Sequence, residues 1–211
     1  MRTYELNDMV KADCKDCAGC SACCQGMGNS IILDPYDVWR LMGHLGKRFE
    51  ELLADCVELH VEDGIILPNL RMTQADRCPF LNEEGRCRIH AYRPGLCRTF
   101  PLGRNYEDGK LTYFLLEGAC PKENKTKVKV SKWIDTPDLK KNQTFLTKWH
   151  YLLKDLRAMF TRNEQLQKQA NMLLLNLFYI KPYDMDIDFY SQFEERLQEM
   201  IASNLFPCKP Q

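Results

Sequence analysis

The residues of this chain best suited to chemistry are its cysteines. From Cys14 to Cys24 the sequence reads C-K-D-C-A-G-C-S-A-C-C. Cys14, Cys17, Cys20 and Cys23 fall at every third position, and Cys24 follows at once. Cysteines at C-x2-C spacing can turn their sulfurs onto one metal centre through a tight loop. A second group, Cys78, Cys87, Cys97 and Cys120, lies downstream, so the two groups hold nine of the eleven cysteines. Metal or iron–sulfur binding is the chemistry this inventory points to.

Two centres compete for such a set. Zinc takes four thiolates in a closed tetrahedral site that is structural. A [4Fe–4S] cluster also takes four cysteines and adds redox activity. Structural zinc favours two separated C-x2-C knuckles, whereas here one loop is crowded and the other cysteines are scattered singly, a layout that fits a cluster better. Cys14, Cys17, Cys20 and Cys24 reproduce the C-x2-C-x2-C-x3-C run of bacterial ferredoxins, yet Gln25 stands where proline is usual and no second run exists. The C-x3-C-x2-C triad of radical enzymes is missing too, because Met27 occupies its last position. Cys23 and Cys24 are neighbours whose side chains should diverge, towards different metals or different corners of one cluster. Arg88, Arg93, Arg98 and Arg104 accompany the second group, and their charge could offset thiolates. His90 is a reserve ligand that so many cysteines make unnecessary. Gly26 and Gly28 would let the backbone wrap closely around a metal. Cys56 and Cys208 stand apart, the first as a small core residue and the second as idle.

Stepping outward, the elements that must position these residues form an α+β chain. A cysteine-rich metal-binding half with short helices and β-hairpins, residues 1–135, precedes an all-helical half, residues 136–211, packed on it. Asp34-Pro35 starts a helix that Gly46 ends, and Phe49, Leu52 and Leu53 mark a second. Asp63-Gly64 and Asp108-Gly109 are hairpin turns. Residues 89–101, with Pro94, Gly95 and Pro101, should follow a rigid irregular path with at most one helical turn. Lys125 to Lys132 alternates lysine and valine, the pattern of a protected edge strand. Apolar residues recur at helical spacing over 145–160, 166–177 and 189–201.

Lys plus Arg total 29 and Asp plus Glu 29, so no basic field marks a nucleic-acid binder. The longest nearly apolar run, Met172 to Ile180, is too short to span a bilayer. No apolar signal segment opens the sequence, and a cytoplasmic location is expected, where thiols stay reduced and turn to metals.

The multipart pattern Cys17-Ala-Gly-Cys20-Ser-Ala-Cys23-Cys24, Cys78-Pro-Phe-Leu, Cys87-Arg-Ile-His, Tyr92-Arg-Pro-Gly-Leu-Cys97-Arg-Thr-Phe-Pro101 and Cys120-Pro resembles the YkgJ-type cysteine-cluster family. That family is named for its CxxCxxCC motif and described as zinc- or iron-chelating. The resemblance covers about residues 14 to 121 and implies metal ligation by Cys17, Cys20, Cys23, Cys24, Cys78, Cys87, Cys97 and Cys120, with Cys14 as an extra thiol. The family includes flagellin lysine N-methylases, so resemblance also implies a possible protein-modifying activity with S-adenosylmethionine. The leading expectation is an iron–sulfur protein of [4Fe–4S] type with a redox or cluster-dependent modification role, meeting a protein substrate or redox partner. A protein lysine N-methylase acting on a partner such as flagellin, and a zinc-stapled interaction module, are the alternatives.

Overall fold

In the computed structural model the described residues are 1–14, 20–163, 165–203 and 205. The predicted Cys17 and Cys208 lie outside them. The chain divides into two compact units that interleave in sequence: residues 1–32 with 70–147, and residues 33–69 with 148–211. This differs from a division at 135/136, since segment 33–69, which precedes the second cysteine group, clusters with the C-terminal helices.

The first unit is built on strands β1 (Thr3–Tyr4), β2 (Met9–Asp13), β5 (Leu102–Glu107), β6 (Lys110–Leu115) and β7 (Thr126–Lys129), with helices α3 (Gly95–Thr99) and α4 (Val130–Ile134). The expected hairpin forms between β5 and β6, pairing Leu102 with Leu115 and Glu107 with Lys110. Its turn puts Asp108 at φ 47° and Gly109 at φ 74°, the left-handed pair that a two-residue hairpin demands. β1 completes a three-stranded sheet on the far side of β6. Of the lysine-rich segment 125–132, residues 126–129 form the strand β7, which pairs with β2 and leaves Lys127 and Lys129 exposed, while Val130 to Lys132 begin α4. Strands β1 and β2 were not foreseen from the sequence, β1 being two residues long and the alternation of β2 resting on Val10 and Ala12 alone. Val10, Ala12, Leu102, Tyr113, Val130 and Ile134 form the core that these strands and α4 enclose.

The second unit holds α1 (Pro35–Leu45), α2 (Phe49–Asp55), the hairpin of β3 (Val57–Glu62) and β4 (Ile65–Leu70, its last residue counted with the first unit), and most of α5 (Leu139–Arg162), with α6 (Gln165–Leu175) and α7 (Phe189–Ala202). The foreseen start of α1 is a capping box: the Asp34 carboxylate accepts from the Asp37 backbone N–H at 2.9 Å, and Gly46 closes the helix at φ 63°. Cys56 caps α2 and is 2% exposed, a core residue as its helix face indicated. Asn171 of α6 grips the hairpin turn, donating to the Gly64 carbonyl at 2.9 Å and accepting from the Ile66 N–H at 2.8 Å. Phe178 and Phe193 are fully buried against Trp149, and the buried Phe189 stacks on Phe193. The cysteine-rich, hairpin-bearing sequence and the long C-terminal helices together confirm the α+β class.

Candidate metal centre

Backbone hydrogen bonds between distant segments assemble the candidate site. The loop after Cys20 contains a short 3-10 turn, Ala22–Cys24, and then runs antiparallel to residues 76–78. Gly26 N–H donates to the Asp76 carbonyl at 2.9 Å, and Cys78 N–H donates to the Cys24 carbonyl at 2.8 Å. This stitch brings Cys23 and Cys24 beside Cys78. Gly26 and Gly28 have φ 69° and 50°, and Gly28 N–H binds the Asp76 carboxylate at 3.2 Å. The glycines therefore serve the left-handed backbone of the stitch.

Cys78 and Cys87 are the ends of a knuckle. Leu81 and Cys87 form an isolated bridge, Arg88 N–H donates to the Phe80 carbonyl at 2.8 Å, and Asn82 closes the turn by accepting from Arg86 N–H at 2.7 Å. Residues 89–101 hold more helix than expected, a 3-10 turn at His90–Tyr92 and the five-residue α3. Pro94 separates the two without breaking either, because it sits at the cap of α3 where no N–H is needed. α3 presents Cys97, and the indole N–H of Trp133 on α4 ties down its C-terminal end by donating to the Thr99 and Phe100 carbonyls at 3.2 and 3.1 Å. A cis peptide joins Phe100 to Pro101.

The product is a cavity of about 80 Å³ lined by Cys20, Cys23, Cys24, Cys78, Cys87 and Cys97. All six are partly buried. Leu70, Phe80, Ile89, Phe100 and Trp133 give it apolar walls, and Arg86, His90 and Arg93 also border it. Cys120 does not line the cavity; its carbonyl accepts from Lys125 Nζ at 2.9 Å. Cys14 directly follows β2 and is likewise outside the lining. Among the described residues no group of three or more His, Cys, Asp or Glu side chains converges on one point closely enough to hold a metal ion. The six cysteines share one cavity.

The thiols sense one another. Cys23 and Cys24, expected to diverge, face the same cavity and share a hydrogen bond, since the 3-10 turn rotates consecutive side chains less than an extended strand would. That bond lowers the Cys23 pKa to about 7, and the Arg93 guanidinium helps, while burial opposes it. Cys24 is pushed far up because it keeps the shared proton, with burial and the negative charge of Cys23, Cys78 and Cys97 adding to the effect. Burial chiefly raises Cys78 and Cys87.

The four arginines of the second group divide by role. Arg93 borders the cavity. Arg98 is 3% exposed and donates to the backbone carbonyls of Asp135 and Ala91, so it is a structural tie and not a solvated counter-charge. Arg88 donates to the Pro79 carbonyl at 2.8 Å, and Arg104 stands opposite Tyr113 in the β5–β6 ladder. Sequence reasoning missed Arg86 and Trp133. Arg86 adjoins Cys87 and could have been noticed; nothing in the sequence links Trp133 to the cysteines.

Site and fold define a cysteine-lined metal-binding domain. The chain belongs to the CxxCxxCC family, whose model matches residues 16–121 and whose description is "Putative zinc- or iron-chelating domain". Neither a curated protein nor a solved structure matches the chain. No helix among the described residues is long and apolar enough to cross a membrane.

Proposed function

We propose that this protein binds an iron–sulfur centre of [4Fe–4S] type in the cysteine cavity of its first unit and uses it in electron transfer or cluster-dependent modification of a partner protein. The ligand set we assign is Cys17, Cys20, Cys23, Cys24, Cys78, Cys87, Cys97 and Cys120; a [4Fe–4S] centre takes four of them, and Cys120, outside the cavity lining, belongs with the remainder, which suffice for a second metal. The observation that carries this reading is that Cys20, Cys23 and Cys24 of the first cysteine group and Cys78, Cys87 and Cys97 of the second line one cavity. A single tetrahedral zinc uses four thiolates about 2.3 Å from one ion. A [4Fe–4S] cluster likewise takes four thiolates, but one at each corner, so its cysteines stand further apart than those around a single ion and suit a wider space. The donor set is sulfur throughout its described members, the chemistry that selects iron–sulfur clusters, zinc or copper(I) over hard cations. The aromatic and aliphatic walls limit solvent access, which for an iron–sulfur centre is one determinant of potential.

When bound, such a centre supplies one-electron redox chemistry. The chain supplies the thiolates, the apolar shell and the hydrogen-bonded loops that hold both cysteine groups together. A methylase role with S-adenosylmethionine rests on family likeness alone. The test is purification without oxygen, a visible spectrum, and counts of iron, sulfide and zinc per chain. Matched iron and sulfide with a brown absorption band support the cluster. A colourless protein with stoichiometric zinc sinks it and leaves the zinc-stapled module.

A further inference from the structure

The cavity contains a cation whose place is set by its own anchor. The Arg93 Nη1 atom lies 2.8 Å from both ring nitrogens of His90 and donates to the His90 carbonyl at 3.1 Å. Both residues border the cavity with the six cysteines. Pro94, with its fixed φ, follows at once and caps α3, so the backbone that carries Arg93 is stiff on its C-terminal side. Cys23 and Cys87, from different segments of the chain, line the cavity that the guanidinium borders. One nitrogen of the neutral imidazole accepts from the guanidinium, and the other then carries the ring proton.

From this geometry we infer that Arg93 is the fixed counter-charge of the thiolate cavity and that His90 positions it, which removes His90 from the ligands. The inference rests on the thiolate-metal reading of the cavity, though not on which metal fills it. Several thiolates around one centre repel each other, and in a partly dry site a fixed positive charge offsets that repulsion more than a solvated one could. A fixed cation beside a partly dry anionic centre is worth roughly a factor of ten in an equilibrium it favours. Metal retention should therefore depend on Arg93. If the centre is redox-active, reduction adds negative charge, so the cation should also raise the potential.

The experiment uses the full chain purified without oxygen, with Arg93→Met, Arg93→Lys, His90→Gln and the unaltered protein compared. Metal content is measured first, then the rate of metal release to excess EDTA. Where iron and sulfide are found, a dithionite titration follows to obtain the midpoint potential. The expected result is full metal content in His90→Gln, with release accelerated about tenfold in Arg93→Met and less in Arg93→Lys and His90→Gln. The potential of Arg93→Met should fall by about 59 mV, which is a tenfold change for a one-electron couple. Melting of the EDTA-stripped proteins at about pH 6, below the Cys23 pKa of about 7, should be alike, because a counter-charge matters little once the thiolates take up protons. Equal release rates across the set would overturn the inference, as would a loss of metal stoichiometry in His90→Gln. Zinc in place of iron would instead refute the cluster reading, and the release rates would still decide the role of Arg93.

Discussion

Replacing Arg98 by methionine separates the structural arginine of the second cysteine group from one that merely balances charge. Arg98 is 3% exposed on α3, directly after Cys97. One end of its guanidinium donates to the Asp135 carbonyl at the C-terminal cap of α4, and the other to the Ala91 carbonyl in the preceding turn. Methionine keeps much of the side-chain volume but removes both donors, leaving two shielded carbonyls without the partner they have now. Hydrogen bonds from a charged donor contribute about 1.5–3 kcal/mol each, so the loss is about 3–6 kcal/mol. For a chain of this length that corresponds to a fall in melting temperature of about 10 °C. Lysine should rescue little, because a single ammonium cannot reproduce a planar fork that spans two acceptors. The assay is thermal melting of the EDTA-stripped protein, where no metal–thiolate attraction contributes. A melting temperature within two degrees of the unaltered protein would refute the tie, and full rescue by Arg98→Lys would show that only the charge matters.

Cys20→Ser and Cys97→Ser should lose bound metal while Cys56→Ser keeps its full content, since Cys56 is buried in the other unit as a helix cap; metal analysis of the three variants decides, and equal loss in all would refute the ligand assignment. Gly103→Val should destabilise the β5–β6 hairpin by about 1–3 kcal/mol, because a Cβ at Gly103 would stand 2.4 Å from the Phe114 ring; a denaturation midpoint equal to that of the unaltered protein would contradict the close packing. The pH dependence of the EDTA-stripped protein follows from the cavity thiols. Cys23, lowered to about 7, adds stability as pH rises from about 7 to the ordinary thiol value near 8.5. Cys24, Cys78 and Cys87 are raised, so the folded chain keeps protons that the unfolded chain releases, and stability falls above about pH 8.5. Three raised groups oppose one lowered group, hence melting temperature should pass through a maximum near pH 8.5 and drop towards pH 10; a continued rise would show the signs to be wrong.

Much of the local structure was legible because local chemistry determines it. Asp34-Pro35 and Gly46 bound α1, since capping and left-handed termination involve only neighbouring residues. Asp108-Gly109 marked the β5–β6 turn for the same reason. The long C-terminal helices showed in the periodicity of residues such as Phe145, Trp149 and Leu156, which one helix face must bury. The strands β1 and β2 escaped notice because each is short and takes its stability from a partner over a hundred residues away, Tyr113 for Tyr4 and Val128 for Val10.

For the site, the sequence alone established an improbable concentration of thiols and, through their spacing, membership of a metal-chelating family. Donor type and short-range spacing are properties of the covalent chain. Tertiary structure decided which cysteines share a cavity, through the Cys24–Cys78 backbone bond and the helix that carries Cys97. It also set Cys120 outside that lining and separated the arginines, with Arg98 bound to carbonyls and Arg93 held at the cavity by His90. Trp133 became part of the wall only through folding. Those outcomes depend on how segments far apart in sequence satisfy their backbone donors and acceptors, and that pairing is not encoded in any one stretch of residues.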